Sequence, residues 1–384
     1  MTIIIFSSTL EGHHLEYIHH IYEMAIEDVR HTYIFLLPSS FSEKREKLEW
    51  VHSENVRFDV FEEFREVNTK SVIKRLLGSS YKITRIVAQA VKKYNPDYVY
   101  TNLMMGFVPF APLLIKRQTR LIGIIYRIYL HDIGVRSKYS LFQDRLKYWM
   151  MSKFDIFYRL LILNDNASAL RLNKVYNTNK FYPIPDPFIP LDIKEIEDIR
   201  RGYGIGENKI LFVHFGAMNS NKGTLDLLES LIKMEDKECR EYAFFLAGRV
   251  DKKIKQRFME LVDKVKGKVQ IVVKDDYCSY EFFASLCVAC DAIVIPYKRT
   301  AQSSGLIGYA SQFGKPVIAP AKGLLGQLVR EYGLGILIEE VTSENLMAAF
   351  QKIAKGNYQK PSKRYCEENT IESFQKTIKN CIHS

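Results

Sequence analysis

No apolar run in the 384 residues reaches the roughly 18 that a membrane-spanning helix needs. The greasiest stretch, Leu121–Leu130, is interrupted by Arg127. The opening MTIIIFSSTL has no basic start and no small-residue cleavage site, so a first β-strand is expected there and not a secretory leader. Cysteine is scarce and one-sided: all six lie after residue 238. Cys287 and Cys290 make a lone C-x-x-C with no second pair or nearby histidines, too few ligands for a tetrahedral zinc. Buried thiols are the expectation, with a redox pair left as the alternative. His13, His14, His19 and His20 come in two pairs about two helical turns apart. H-E-x-x-H spacing is absent, so no metal is expected. A G-x-S-x-G elbow is missing, which disfavours a serine hydrolase. Nothing resembles an RRM, zinc-finger or helix-turn-helix pattern, so nucleic acid is not an expected partner.

Apolar residues are plentiful at 47% and charged residues ordinary at 26%. The chain therefore has the composition of a folded protein. Its length suggests two domains. The net charge of +11 is unevenly spread. Residues 1–66 carry 6 basic and 13 acidic side chains, net −7. Residues 67–185 carry 20 and 5, net +15. Residues 186–384 carry 29 and 26, net +3. A local anionic partner is implied, not general basicity.

Short apolar runs alternate with amphipathic stretches along the chain, which predicts an α/β protein built of parallel sheets. Predicted strands include Ile3–Phe6, Thr32–Leu37, Tyr98–Thr101, Ile210–Phe215 and Ala292–Pro296. Predicted helices include His14–Arg30, Tyr81–Tyr94, Asp192–Arg201 and Thr224–Lys233. Four prolines between Tyr182 and Pro190 argue against a helix or central strand and mark an interdomain connection. The domains are expected at 1–185 and 186–364, with a terminal helix in 365–384 that crosses back to the first. Two Rossmann-like domains facing a central cleft are the simplest architecture, with ligands at the carboxyl ends of the strands.

Two stretches carry chemistry. In Leu211–Thr224 a strand ends at Gly216, and the pair Lys222-Gly223 opens a helix. A lysine beside free helix N–H groups can grip phosphate, although a solvated loop lysine is an equal reading. In Ala292–Leu306 a buried strand leads to Lys298 and Arg299, then to Ser303-Ser304-Gly305 before a short helix. A diphosphate would fit there, although a capped helix alone also accounts for it. His214, inside a strand, reads as a satisfied core histidine.

Together these stretches resemble the family 4 retaining glycosyltransferases, which have the GT-B fold. The resemblance includes Glu11-Gly-His-His14, Tyr129–Gly134, Leu161–Asn166, Phe181–Pro187, the Lys-Gly motif, Phe245–Gly248, Asp291–Pro296, Ser304-Gly-Leu306 and Gly314–Ile318. It implies a nucleotide-sugar donor (a UDP- or GDP-sugar) on the C-terminal domain, an acceptor on the N-terminal one, and no further cofactor. It implies that Lys222 neutralises the diphosphate, with Gly216, Arg299, Ser303, Ser304 and Gly305 around it. Gly12 and His13 would lie near the donor, and His131 would reach its sugar. Transfer would be metal-independent and retaining.

The chain departs from the family pattern where two glutamates usually stand. Gln302 and Ala310 occupy those places, and Ala217-Met218 replace an arginine. Gln302 keeps hydrogen bonding without charge. Ala310 has nothing to offer a ribose. Lys298, Arg299 or Arg249 are candidates for the lost cation. A non-catalytic sugar-nucleotide-binding subunit and an epimerase of the same fold stay open as alternatives.

The basic surplus falls on two segments. Residues 70–93 have seven basic residues and no acid, and residues 136–153 have five and one. Both are interleaved with apolar side chains. Either they bind an anionic membrane, or they pack inward and turn their cations to water. The membrane reading suits a peripheral enzyme on the cytoplasmic face that extends a lipid-linked saccharide in surface polysaccharide or glycolipid synthesis.

Overall fold

The computed structural model describes residues 1–11, 13–43, 50, 53–63, 72–116 and 118–383. The chain forms two compact units, Met1–Pro187 with Thr370–Ser384, and Phe188–Asn369.

The first unit holds a seven-stranded sheet, wholly parallel, in the order β3-β2-β1-β4-β5-β6-β7. Its strands are β1 (Thr2–Phe6), β2 (Thr32–Pro38), β3 (Val56–Phe61), β4 (Tyr98–Thr101), β5 (Arg120–Ile125), β6 (Phe157–Leu163) and β7 (Phe181–Ile184). Between them run helices α1 (His13–Glu27), α2 (Val72–Tyr94), α3 (Lys138–Lys153) and α4 (Asn166–Tyr176). Ile3, Ile4, Ile5 and Phe6 are fully buried, the signature of a strand covered on both faces. The proline-rich connection begins later than its composition suggests. Pro183 sits inside β7, an edge strand, where a missing N–H costs no ladder bond.

The second unit holds a six-stranded parallel sheet, β10-β9-β8-β11-β12-β13. Its strands are β8 (Ile210–Phe215), β9 (Tyr242–Ala247), β10 (Gln270–Lys274), β11 (Ala292–Val294), β12 (Val317–Pro320) and β13 (Gly335–Ile338). The principal helices are α5 (Thr224–Ile232), α6 (Lys255–Lys266), α7 (Tyr280–Ala289), α8 (Leu306–Phe313), α9 (Gly323–Glu331) and α10 (Ser343–Ala354). Helix α5 buries Thr224, Leu227, Leu228 and Leu231, a single face at helical spacing. The helix expected at Asp192–Arg201 shrinks to Ile199–Gly202, because only Ile199 there is apolar and buried. The Cys287 and Cys290 thiols are free, and burial pushes Cys290 up to about 12, away from thiolate reactivity.

The terminal segment breaks at Asn369. Helix α11 (Ile371–His383) follows the break and packs on the first unit. Phe374, Ile378, Cys381 and Ile382 join its core, and Phe374 lies 5.3 Å from the Tyr17 ring. Among the described residues no helix is long and apolar enough to cross a membrane.

Phe212 anchors the second core. Its ring lies 4.6 Å from Phe350, 5.2 Å from Phe244 and 5.4 Å from Tyr242. Phe212→Ala removes a fully buried ring, and we expect a loss of about 3–5 kcal/mol in the urea transition of this unit. A loss below about 1 kcal/mol would mean the aromatic cluster is not what holds the sheet to its helices.

Candidate functional site

Strand order reverses between β8 and β11, since the chain runs outward through β9 on one side and β12 on the other. In open parallel sheets ligands bind outside the carboxyl ends of the strands at such a reversal. Both stretches with phosphate chemistry emerge there, one after β8 and one after β11.

They are locked together. Gly223 has φ +68°, and a Cβ at that position would stand 1.8 Å from the Pro296 carbonyl oxygen. Only glycine tolerates both the left-handed backbone and the contact. The Lys298 backbone N–H donates to the Asn221 carbonyl at 2.9 Å. The side-chain oxygen of Asn219 accepts from the N–H groups of Asn221 and Lys222, shaping the turn. The Lys222 ammonium lies 3.6 Å from the centre of the Tyr297 ring. That contact holds the charge beside the start of α5 without neutralising it. The loops after β8 and β9 are equally close. Gly248 has φ +132°, and a Cβ there would stand 1.9 Å from the Gly216 carbonyl oxygen.

The other expected cations differ in kind. Lys298 is committed to Asp226 at 2.8 Å, which removes it as the replacement for the missing arginine. Arg299 and Arg249 are exposed. The Ser304 hydroxyl does not cap α8. Gly305 occupies the cap position, and Ser304 donates instead to the Tyr297 hydroxyl at 3.3 Å. Ser303 is half-buried beside it, and Gln302 is exposed. Ala310 is fully buried in α8, so packing, not ligand chemistry, accounts for its small side chain. Tyr297 was hidden in the sequence, because a tyrosine after a buried strand has no signature of its own.

His214 is a core residue. Nδ1 donates to the Val294 carbonyl at 3.0 Å, and Nε2 accepts from the Thr224 hydroxyl at 3.0 Å. Both ring nitrogens are thereby satisfied in the neutral form. Burial, with the charge of Lys222 acting in the same direction, holds its pKa down to about 4.

In the first unit the order reverses between β1 and β4. Gly12 lies outside the described residues, as do residues 70 and 71 of the first basic segment. The side chain of His13 is likewise not described. His131 follows β5, and its Nε2 lies 2.6 Å from the Asp165 carboxylate. Asp165 caps α4 by accepting from the Ser168 N–H at 2.9 Å. Burial alone would raise Asp165, but the hydrogen bonds from His131 and Ser168 outweigh it and hold the carboxyl below its usual range. An ionised Asp165 fixes which His131 nitrogen carries the proton. Asp165 lies in a stretch quoted above, but an aspartate before a helix reads first as a cap. Among the described residues no three metal-ligating side chains converge.

Residues 195–373 match the family model described as Glycosyl transferases group 1. The whole chain is similar to solved structures. One is WaaG, a glycosyltransferase involved in lipopolysaccharide biosynthesis, at 15% identity, covering 100% of this chain and 99% of that one with a TM-score of 0.66. Another is Anabaena HepE in complex with UDP, at 16%, 100% of both chains and 0.68. A third is sucrose-phosphate synthase from Thermosynechococcus elongatus, at 14%, 100% and 98%, and 0.69. The fold is GT-B. No curated sequence matches the chain. The group 1 match spans nearly all of the second GT-B unit, including every element of the β8–β11 reversal.

His214 gives the GT-B core a pH signature. Below pH 6.5 the unfolded chain protonates this residue while the folded unit excludes the proton. Stability therefore rises with pH across the window from about 4 to 6.5. We expect wild-type urea midpoints to fall as pH drops through that window. His214→Gln, which keeps a donor and an acceptor but cannot titrate, should show a shallower slope. Equal slopes would assign the titration to another group.

Proposed function

We propose that the protein is a glycosyltransferase whose second unit binds a nucleotide-sugar at the β8–β11 reversal. The observation that carries the reading is the Lys222–Tyr297 contact, clamped by Gly223 against Pro296, at the start of α5. That arrangement presents to an anion a fixed cation, in no ion pair among the described residues, and the N–H groups of a helix start. A diphosphate gains charge as the bond from its oxygen to the anomeric carbon breaks, so such a site stabilises the transition state more than the ground state. Anabaena HepE, similar over its whole length, carries UDP in its structure. UDP is accordingly the first donor base to test, with GDP second.

The roles follow. Lys222 faces the leaving diphosphate, with Gly216, Ser303, Ser304 and Gly305 around it and Arg299 at the exposed rim. Gln302 hydrogen-bonds the donor. By the family resemblance Gly12 and His13 of the first unit would serve the donor, and His131, oriented by Asp165, its sugar. The acceptor hydroxyl forms the new bond to the anomeric carbon, and its proton passes to the leaving diphosphate. Retention, independence of metal and membership of family 4 belong to this proposal. So does the acceptor, a saccharide or polyprenyl-diphosphate-linked saccharide met peripherally at the cytoplasmic membrane face during surface polysaccharide or glycolipid synthesis. Neutral Gln302 and buried Ala310 favour one second reading, a subunit that binds the nucleotide-sugar without turning it over.

The test is release of nucleoside diphosphate from a panel of UDP- and GDP-sugars with lipid-linked and water-soluble acceptors. Lys222→Ala should lower release on the order of 100-fold while leaving the melting temperature unchanged without ligand. Gly223→Ala should lower both, since the left-handed backbone alone costs roughly 1–2 kcal/mol. Thermal stabilisation by donor without release under any acceptor would support the binding subunit. No stabilisation by any donor would overturn both readings.

A further inference from the structure

We propose that helices α3 and α4 form the face by which the first unit docks on an anionic lipid bilayer. The inference deepens the peripheral-membrane reading above and narrows two basic segments to one face.

The two segments behave differently once folded. Helix α2 turns inward over its second half, where Thr84, Val87, Ala90 and Val91 are buried, and exposes Leu76, Leu77 and Tyr81 nearer its start, a shorter apolar patch than that on α3. Helix α3 is held by a short stretch near its end. Tyr148, Met151 and Ser152 are buried, and the Tyr148 hydroxyl donates to the Arg127 carbonyl at 2.9 Å. The opposite face is apolar and uncovered. Tyr139, Phe142, Leu146 and Trp149 are 62%, 63%, 47% and 48% exposed. Their spacing of three, four and three residues puts them in one stripe along the helix. On α4, Leu170 and Val175 add 64% and 55% exposure. A groove of about 610 Å³ lies between the helices, lined by Phe142, Leu146, Trp149 and Val175, with Arg145 and Arg171 also on its walls.

Charge selects the occupant. The two helices carry six basic residues and one acid. The acid, Asp144, is already bound by Arg136. An apolar stripe among cations that make no ion pair among the described residues matches a surface of hydrocarbon under phosphate headgroups. Aromatic rings with polar tips suit the headgroup level, and the long arginine stems lie along apolar surface with their charges outward. A second copy of this chain would set these cations against one another. An acidic protein would match the charge but not the uninterrupted apolar stripe.

The chain supplies its own reporter. It has two tryptophans: Trp50, buried in the first core, and Trp149, in the exposed stripe. Full-length protein is mixed with vesicles of phosphatidylglycerol and phosphatidylcholine, and with pure phosphatidylcholine, at low and physiological salt. Flotation and tryptophan emission are both read. We expect binding to the anionic vesicles, weakened by salt, with emission moving to shorter wavelength. Trp149→Phe should abolish the emission change. Phe142→Ser with Leu146→Ser should weaken binding roughly tenfold or more without altering the circular dichroism melt. Reversing Lys82 and Arg85 on α2 should change binding far less than reversing Arg145 and Arg171. The inference is overturned by failure to bind anionic vesicles at low salt, by unchanged binding of the double serine variant, or by a concentration-dependent dimer that this variant dissolves. Diphosphate release with a water-soluble acceptor, measured on the same variants, reports on the transferase reading separately.

Discussion

One contact governs the second unit: the backbone of Gly223 against the carbonyl of Pro296. It joins the loop after β8 to the loop after β11 at the distance where a methyl group no longer fits. With the loops so close, the Lys222 stem has little choice but to lie across Tyr297, and the Lys298 N–H meets the Asn221 carbonyl. The sheet beneath supplies the stiffness. Parallel pairing of β8 with β11, Phe212 beside Ala292 and Val213 beside Ile293, sets both loop origins, and the buried Phe212 cluster keeps the register from slipping. The electrostatics are selective as a result. Of two neighbouring lysines, Lys298 is neutralised by Asp226, while Lys222 faces a ring that attracts a cation without cancelling it.

Much of the architecture is legible from apolar runs, because parallel strands buried on both faces need unbroken stretches such as Ile3–Phe6 and Ile210–Phe215. Strands β3 and β13 are less legible. They are sheet edges, where Arg57 and Asp59 on β3 and Gly335 on β13 dilute the pattern. β7 is concealed by Pro183, a residue that argues against any strand but an edge one. Helices α9 and α10 carry apolar residues at helical spacing, Leu324, Leu325, Leu328 and Val329 on one and Leu346, Ala349, Phe350 and Ile353 on the other, but each pattern spans only two or three turns. The acidic stretch Asp192–Arg201 shows the converse: Ile193, Ile196 and Ile199 stand at helical spacing, but only Ile199 is buried, and the helix is confined to Ile199–Gly202.

The candidate site is legible in its backbone and obscure in its side chains. Gly216, Lys222-Gly223 and Gly305 announce themselves because glycine beside a strand end marks a close approach. The partners that give them meaning lie far off in sequence. Tyr297 is 75 residues from Lys222 and Asp165 is 34 from His131. Such pairs follow from topology and not from spacing. Ser304 illustrates the limit: its type suits a helix cap, yet the nearby Tyr297 hydroxyl competes for it and takes the hydrogen bond.

The placement of α11 has a consequence for how the molecule is made. Phe374, Ile378 and Ile382 belong to the core of the first unit but are translated after all of the second. While the chain is growing, the face of α1 around Ile18 and Tyr17 waits for them with its apolar surface uncovered. The second unit, continuous in sequence, can close as soon as it emerges. The first half of the protein to be synthesised is therefore the last to be completed, and a chain interrupted after Asn369 would leave one finished unit attached to an unsealed one.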